Sequence, residues 1–273
     1  MKCREIIEIV HQAFPLKYAE SWDNTGFQVG NPEKEITHIY VAMDVTDEHI
    51  AEAVSLGADM IITHHPMIFS PLPSVTTDTL NGKRVLTMIE NGICYMATHT
   101  NYDSCRMADL AAERLGLTEC EVLEEIADGV GIGKVGKLPK EMTVKECACY
   151  VKEAFHIPSV RFFGDGEKKV ALAAICPGSG KSLVKDCHAK GAEVYITGDI
   201  DHHTGIDQVD ESLPIIDAGH YGVEHIYIED MFIDAGHYGV EHIYIEDMYQ
   251  FLCEKCPQVK VSKADIKHPF EVV

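Results

Sequence analysis

Basic charge is scarce in this chain: 23 Lys and Arg stand against 44 Asp and Glu in 273 residues, a formal net charge of −21. A sequence-independent grip on phosphate backbones needs Lys and Arg to displace counterions, so this balance argues against a nucleic-acid sheath or a binder of anionic membranes. Long apolar runs are also missing, and nothing approaches the roughly 18 uninterrupted residues that would span a bilayer. The first residues, MKCREIIEIVHQAF, carry charges through their apolar positions and have no small-residue cleavage site, which reads as an amphipathic helix and not a signal peptide. The 10 cysteines form no dense framework, so they are expected to be reduced thiols of a cytoplasmic protein. Cys253 and Cys256 make one CxxC with no second pair to complete a zinc site, and they read as helix residues near Phe251 and Leu252. No GxSxG elbow or cysteine-protease signature is present. The apolar fraction of 46% is that of an ordinary globular chain with a real core.

What is present first is alternation. A helix over about Lys2–Phe14 stops before Pro15. Strands are expected at Ile36–Ala42, Ala58–Thr63 and Ile93–Thr98. Helices are expected at about Asp47–Leu56 with Thr46 as cap, at Gly82–Glu90 and at Met107–Leu115. Strands separated by helices of this length are the sign of βαβ units and a largely parallel sheet. In the middle of the chain, Val160–Phe163 and Lys169–Ile175 flank Gly164-Asp165-Gly166, which predicts a hairpin. Helices at about Thr143–Phe155 and Lys181–Lys190 and strands at Ala192–Thr197 and Leu213–Ile216 complete a second unit. The expected class is therefore α/β, with two α/β domains of mixed sheets flanked by helices: residues 1–128 with about 225–273, and residues 129–224. The glycine-rich stretch Gly129–Gly136 is expected to be the linker.

Two glycine motifs invite a nucleotide reading and do not sustain it. Gly131–Gly136 satisfies GxGxxG, but Pro139 follows where a helix should grow, so a turn is expected. Pro177–Ser182 (PGSGKS) resembles the end of a phosphate-binding loop, yet Ile175 occupies the place of its first glycine. A loop is expected, with anion binding on its backbone amides the lesser reading. One repeat is exact: Ile216–Met231 (IDAGHYGVEHIYIEDM) recurs as Ile233–Met248 with Phe232 between the copies, a tandem duplication and not a solenoid.

Metal-ligand residues collect at strand ends. His64 and His65 follow ADMIIT, His99 and Asp103 lie in ATHTNYDS, and His220 and Glu224 lie in DAGHYGVE with i, i+4 spacing on one helix face. Ligand-type clusters at the carboxyl ends of strands converge on a crevice in open α/β sheets. Two adjacent imidazoles at a strand end point to different sides, so two ions could take one each, with a carboxylate such as Asp103 as bridge. Imidazole with carboxylate and without thiolate suits zinc, manganese or iron.

Together the segments Ser21–Gly30 (SWDNTGFQVG), Thr63–Leu72 (THHPMIFSPL), Thr98–Ser104 (THTNYDS), Val194–His203 (VYITGDIDHH) and Asp217–Glu224 resemble the Nif-three-like dinuclear metal-centre family. Its bacterial members are labelled GTP cyclohydrolase I type 2 homologues. The resemblance runs nearly end to end. It implies two divalent ions per subunit on His64, His65, Asp103, His220 and Glu224, and a toroidal homohexamer with the site facing an inner cavity. His237 and Glu241 of the second repeat copy are the alternates for the last two ligands. The first copy has the better strand to aim His220 and the second the better helix, so His220 and Glu224 are preferred. The activity implied is metal-dependent hydrolysis of a nucleotide: GTP ring opening with formate release, with His99 or His203 as acid–base groups by position only. The charge of −21 disfavours triphosphate capture unless the ions and a lysine such as Lys181 offset it. The alternative is a metal-binding hexameric scaffold or interaction protein without catalysis.

Overall fold

A computed structural model describes residues 1–157, 159–219 and 242–264, and among them no helix is long and apolar enough to cross a membrane. The chain divides into two units: Met1–Tyr102 with Tyr244–Asp265, and Asp103–Ile243 with Ile266–Val273.

The first unit is built on five strands: β1 (Gly26–Val29), β2 (His38–Ala42), β3 (Met60–Thr63), β4 (Cys94–Ala97) and, far along the chain, β11 (Lys260–Lys263). Their order is β1-β4-β3-β2-β11, parallel throughout except for β1 against β4. Strands β2, β3 and β4 are buried at every position, which is why they read as unbroken apolar runs. Register sets Ala42, Thr63 and Ala97 side by side, so the chain leaves three adjacent strands at one level. The helix Asp47–Ser55 starts where expected, its Thr46 side chain accepting from the His49 N–H. Ile50 of that helix, with Val85 and Met88 of the helix Leu80–Glu90, packs against Tyr40, Ile61 and Tyr95 to form one core.

The second unit holds β5 (Thr118–Ala127), β6 (Val130–Thr143), β7 (Arg161–Phe163), β8 (Lys169–Ser179), β9 (Val194–Gly198) and β10 (Ile215–Asp217), in the order β5-β6-β8-β9-β10-β7. Both sheets are mixed and flanked by helices, the α/β class expected. The division at Tyr102/Asp103 puts β5 in the second unit, whereas the sequence reading keeps 103–128 in the first domain. The cause is pairing: β5 runs antiparallel along β6.

Two local expectations are overturned. The Gly164-Asp165-Gly166 segment joins no hairpin: β7 pairs with β10 at the far edge, while β8 pairs with β6 and β9. An ion pair of Arg161 with Asp217 at 2.6 Å ties β7 to β10. The Gly129–Gly136 stretch is no linker: Gly129 closes the tight turn from β5, and the GxGxxG segment Gly131–Gly136, expected as a turn, lies within the 14-residue strand β6. Its glycines serve close packing. A Cβ on Gly131 would sit 1.9 Å from the Glu124 carbonyl oxygen, and Gly133 takes φ +71° beneath the Ile175 carbonyl. The PGSGKS segment is bonded to its own sheet. The Gly180 N–H donates to Thr197 Oγ1 at 3.0 Å, and Tyr195 Oη donates to the Gly180 carbonyl at 2.7 Å. Cys253 is exposed within the helix His242–Lys255 and Cys256 is buried just beyond it, both as free thiols.

Candidate metal centre

Beyond the aligned ends of β2, β3 and β4 the backbone ladder continues for a residue or two. The His65 N–H donates to the Met43 carbonyl at 3.0 Å and the Thr98 N–H to the Thr63 carbonyl at 2.8 Å. Asp44, His64 with His65, and His99 therefore emerge from neighbouring strands onto one patch. His64, His65 and His99 each offer a ring nitrogen, and these nitrogens lie within 4.8 Å of one another. The ring centroids of His64 stand 5.0 Å from His65 and 5.2 Å from His99. Adjacent imidazoles were expected to diverge as in a pleat. They converge because both stand past the last residue of β3, where strand alternation no longer applies.

Each ring is oriented by its Nδ1. His64 Nδ1 lies 2.8 Å from the Thr98 carbonyl oxygen, His65 Nδ1 3.0 Å from Asp44 Oδ1, and His99 Nδ1 2.9 Å from Asp23 Oδ1. A carbonyl or an ionised carboxylate only accepts, so all three Nδ1 atoms carry a proton, and Nε2 is the nitrogen through which each ring could meet a cation. Burial alone would raise the carboxyls of Asp23 and Asp44. Hydrogen bonds and charge from His99 and Thr100 in one case, and from His65 in the other, outweigh it and hold both below the ordinary aspartate value. Burial pushes His65 down to about 4, against the pull of Asp44, so it is neutral at pH 7. Converging imidazoles, each backed by a carboxylate or carbonyl, are the arrangement in which histidine ligands hold a divalent cation. The residues present therefore fit the metal that the sequence implies.

The back of the cluster is packed against aromatic rings. His64 is buried, with Tyr102 and Tyr244 at ring centroid distances of 6.0 and 5.0 Å, and Thr98 Oγ1 donates to Tyr244 Oη at 2.7 Å. Tyr244 belongs to the second repeat copy, whose helix His242–Lys255 is formed, while the first copy begins in β10. His220, Glu224, His237 and Glu241 lie outside the described residues. Asp103 opens a π-helical turn, Asp103–Met107, as the first residue of the second unit. His203 stands in the second unit, exposed at the start of the helix His202–Asp210, its ring 5.7 Å from that of His202.

Asp44 and Asp23 received no role from the sequence. Asp44 had a visible signal, since it follows β2 as the histidines follow β3 and β4. Asp23 stands in an irregular segment, and nothing in its spacing announces His99.

A mixed α/β protein with a group of three histidines that could hold a metal ion is what the fold and site define. Comparison with known proteins narrows this. The model of the Duf34/NIF3 (NGG1p interacting factor 3) family matches residues 1–232, and the chain belongs to that family. A Clostridium perfringens protein named GTP cyclohydrolase 1 type 2 homolog is 37% identical over 228 residues, 82% of this chain and 87% of the relative. A Streptococcus pneumoniae protein of the same name is 35% identical, covering 84% of this chain and 88% of the relative. Among solved structures, a Bacillus cereus protein related to NIF3 superposes with a TM-score of 0.87 at 25% identity, covering 100% of this chain and 99% of that one. Reduced HcgD from Methanocaldococcus jannaschii gives 0.77 at 27% identity, with 97% and 98% covered.

Proposed function

We propose that this protein holds two divalent ions and is a metal-dependent hydrolase acting on a nucleotide, opening the guanine ring of GTP with formate release. The observation that carries the reading is the convergence of the His64, His65 and His99 nitrogens with every Nδ1 already committed. His64 and His65 are proposed as ligands with Asp103, His220 and Glu224, and His237 and Glu241 are the alternates. A divalent ion of zinc, iron or manganese bound there supplies Lewis acidity and a water acidified toward neutrality. The protein's own part is orientation: Asp44 and Asp23 keep the lone pairs of His65 and His99 aimed, and burial keeps His65 uncharged. His99, proposed from position as an acid–base group, stands within the imidazole cluster, so it serves as a ligand or exchanges a proton beside one. A cytoplasmic homohexamer is the assembly that the family resemblance supports.

The test is incubation of metal-loaded protein with GTP, following formate and dihydroneopterin triphosphate. The reading requires both products and their loss in His65→Ala. A protein that binds metal and releases no formate from GTP is not this hydrolase, and it fits the metal-holding scaffold instead.

A further inference from the structure

Trp22 and Phe69 stand beside the imidazole cluster with 57% and 52% of their surfaces exposed. Scattered exposed apolar side chains need no explanation, but these two meet each other and the same histidine. Their ring centroids are 5.9 Å apart, and they lie 6.1 and 6.5 Å from the His99 ring. Their loops are tied together. The Ile68 N–H donates to Gln28 Oε1 at 3.1 Å, Gln28 Nε2 donates to the Ile68 carbonyl at 3.2 Å, and Asn24 Nδ2 donates to the same carbonyl. Asp23, next to Trp22, is fixed by Thr100 and His99. The two segments that carry the rings are thus pinned to their surroundings, so little loop-ordering entropy is lost on stacking.

We infer that Trp22 and Phe69 form a seat for the planar heteroaromatic ring of the substrate, a purine or pterin base, stacked so that its polar edge reaches the imidazole cluster. The inference rests on reading the cluster as a metal centre that acts on a nucleotide. Two rings framed by exposed Ser21, Asn24 and Ser70 make a patch for one flat ring, far short of the roughly 800 Å² per partner of a stable protein interface. Stacking on an aromatic side chain tolerates any base, because every base has a π face. Selectivity is then left to the polar edge beside the histidines.

The chain contains one tryptophan, so intrinsic fluorescence reports from this seat alone. The full-length, metal-loaded protein is titrated with guanosine, GTP and ribose 5-phosphate, with excitation at the red edge of tryptophan absorption. Guanosine and GTP are expected to quench Trp22 saturably and ribose 5-phosphate to leave it unchanged. Phe69→Ala is expected to weaken guanosine binding by about 10- to 100-fold, and Phe69→Tyr to keep it, with metal content and melting temperature unchanged in both. The inference is overturned if the protein loads metal and neither purine quenches, or if Phe69→Ala binds guanosine as well as the parent. It is also overturned if Trp22 emission shifts red on dilution as the assembly dissociates, since a second copy then covers the seat. A protein that takes up no metal refutes the metal reading, and guanosine quenching still judges the seat.

Discussion

Asp23→Asn separates the orientation of His99 from the integrity of the fold. In the parent, Asp23 Oδ2 accepts from the Thr100 N–H at 3.0 Å and the Thr100 hydroxyl at 2.6 Å, and Oδ1 faces His99 Nδ1 at 2.9 Å. The Thr100 hydroxyl itself accepts from the Glu20 N–H at 2.9 Å, so its proton is committed to Asp23. An asparagine can turn its nitrogen to only one side. Facing Thr100, it meets two donors and loses two buried hydrogen bonds, at about 1–3 kcal/mol each. Facing His99, it loses nothing if the imidazole changes tautomer, with Nδ1 accepting and Nε2 carrying the proton. The second arrangement is the cheaper, and it takes the Nε2 lone pair away from the cluster. Recovering that lone pair costs the new hydrogen bond, so zinc affinity should fall about 10- to 100-fold, the usual effect of disturbing a group behind a ligand. Competition with a chromophoric chelator measures the affinity, and a thermal melt shows that the variant is folded. A folded Asp23→Asn protein that binds zinc within about twofold of the parent would refute the argument that Asp23 sets the His99 tautomer for metal.

Other perturbations probe the frame. Asp59 bonds Thr37 and pairs with Lys34 at 2.9 Å, and these interactions outweigh the rise that burial causes and bring it to about 2 from 3.8. A folded value below the unfolded one contributes stability above pH ~4 that is lost as pH falls toward 2. Asp59→Asn should therefore cost about 1–2 kcal/mol in urea melts at pH 7 and almost nothing at pH 2. Asp217 accepts from Arg161 Nε at 2.8 Å, the Ile200 N–H at 3.2 Å and the Gly219 N–H at 2.9 Å from a buried position. Asp217→Ala should destabilise by about 2–4 kcal/mol in denaturant melts, because it strands several donors at once. Gly131→Ala drives a methyl into the Glu124 carbonyl, so it should cost about 2 kcal/mol or more and deprotect the β5–β6 amides in hydrogen exchange.

Strands β2, β3 and β4 were legible because they are buried on both faces and the helices between them carry caps such as Thr46, so pattern and propensity agree, whereas the less buried edge strands β1 and β11 went unread. The second sheet was misread where glycine has two meanings. In β6 it marks backbones in close approach, and around Gly164 it marks a chain leaving one strand for the far edge of the sheet, and neither differs from a turn in sequence. At the site, the ligand-type histidines stood out because they follow apolar runs. The carboxylates that orient them did not, since His65–Asp44 and His99–Asp23 join residues 21 and 76 positions apart. Pairings of that range depend on strand order, which for β4-β3-β2 is settled by packing and not by any local pattern.

The central claim is the metal centre, and its most direct test is metal content per chain by mass spectrometry of the untagged protein, with His64→Ala and Asp103→Asn alongside. About two ions of zinc, iron or manganese per chain, sharply reduced in both variants while they remain folded, is the predicted result. No retained metal after purification under metal-replete conditions would contradict the account.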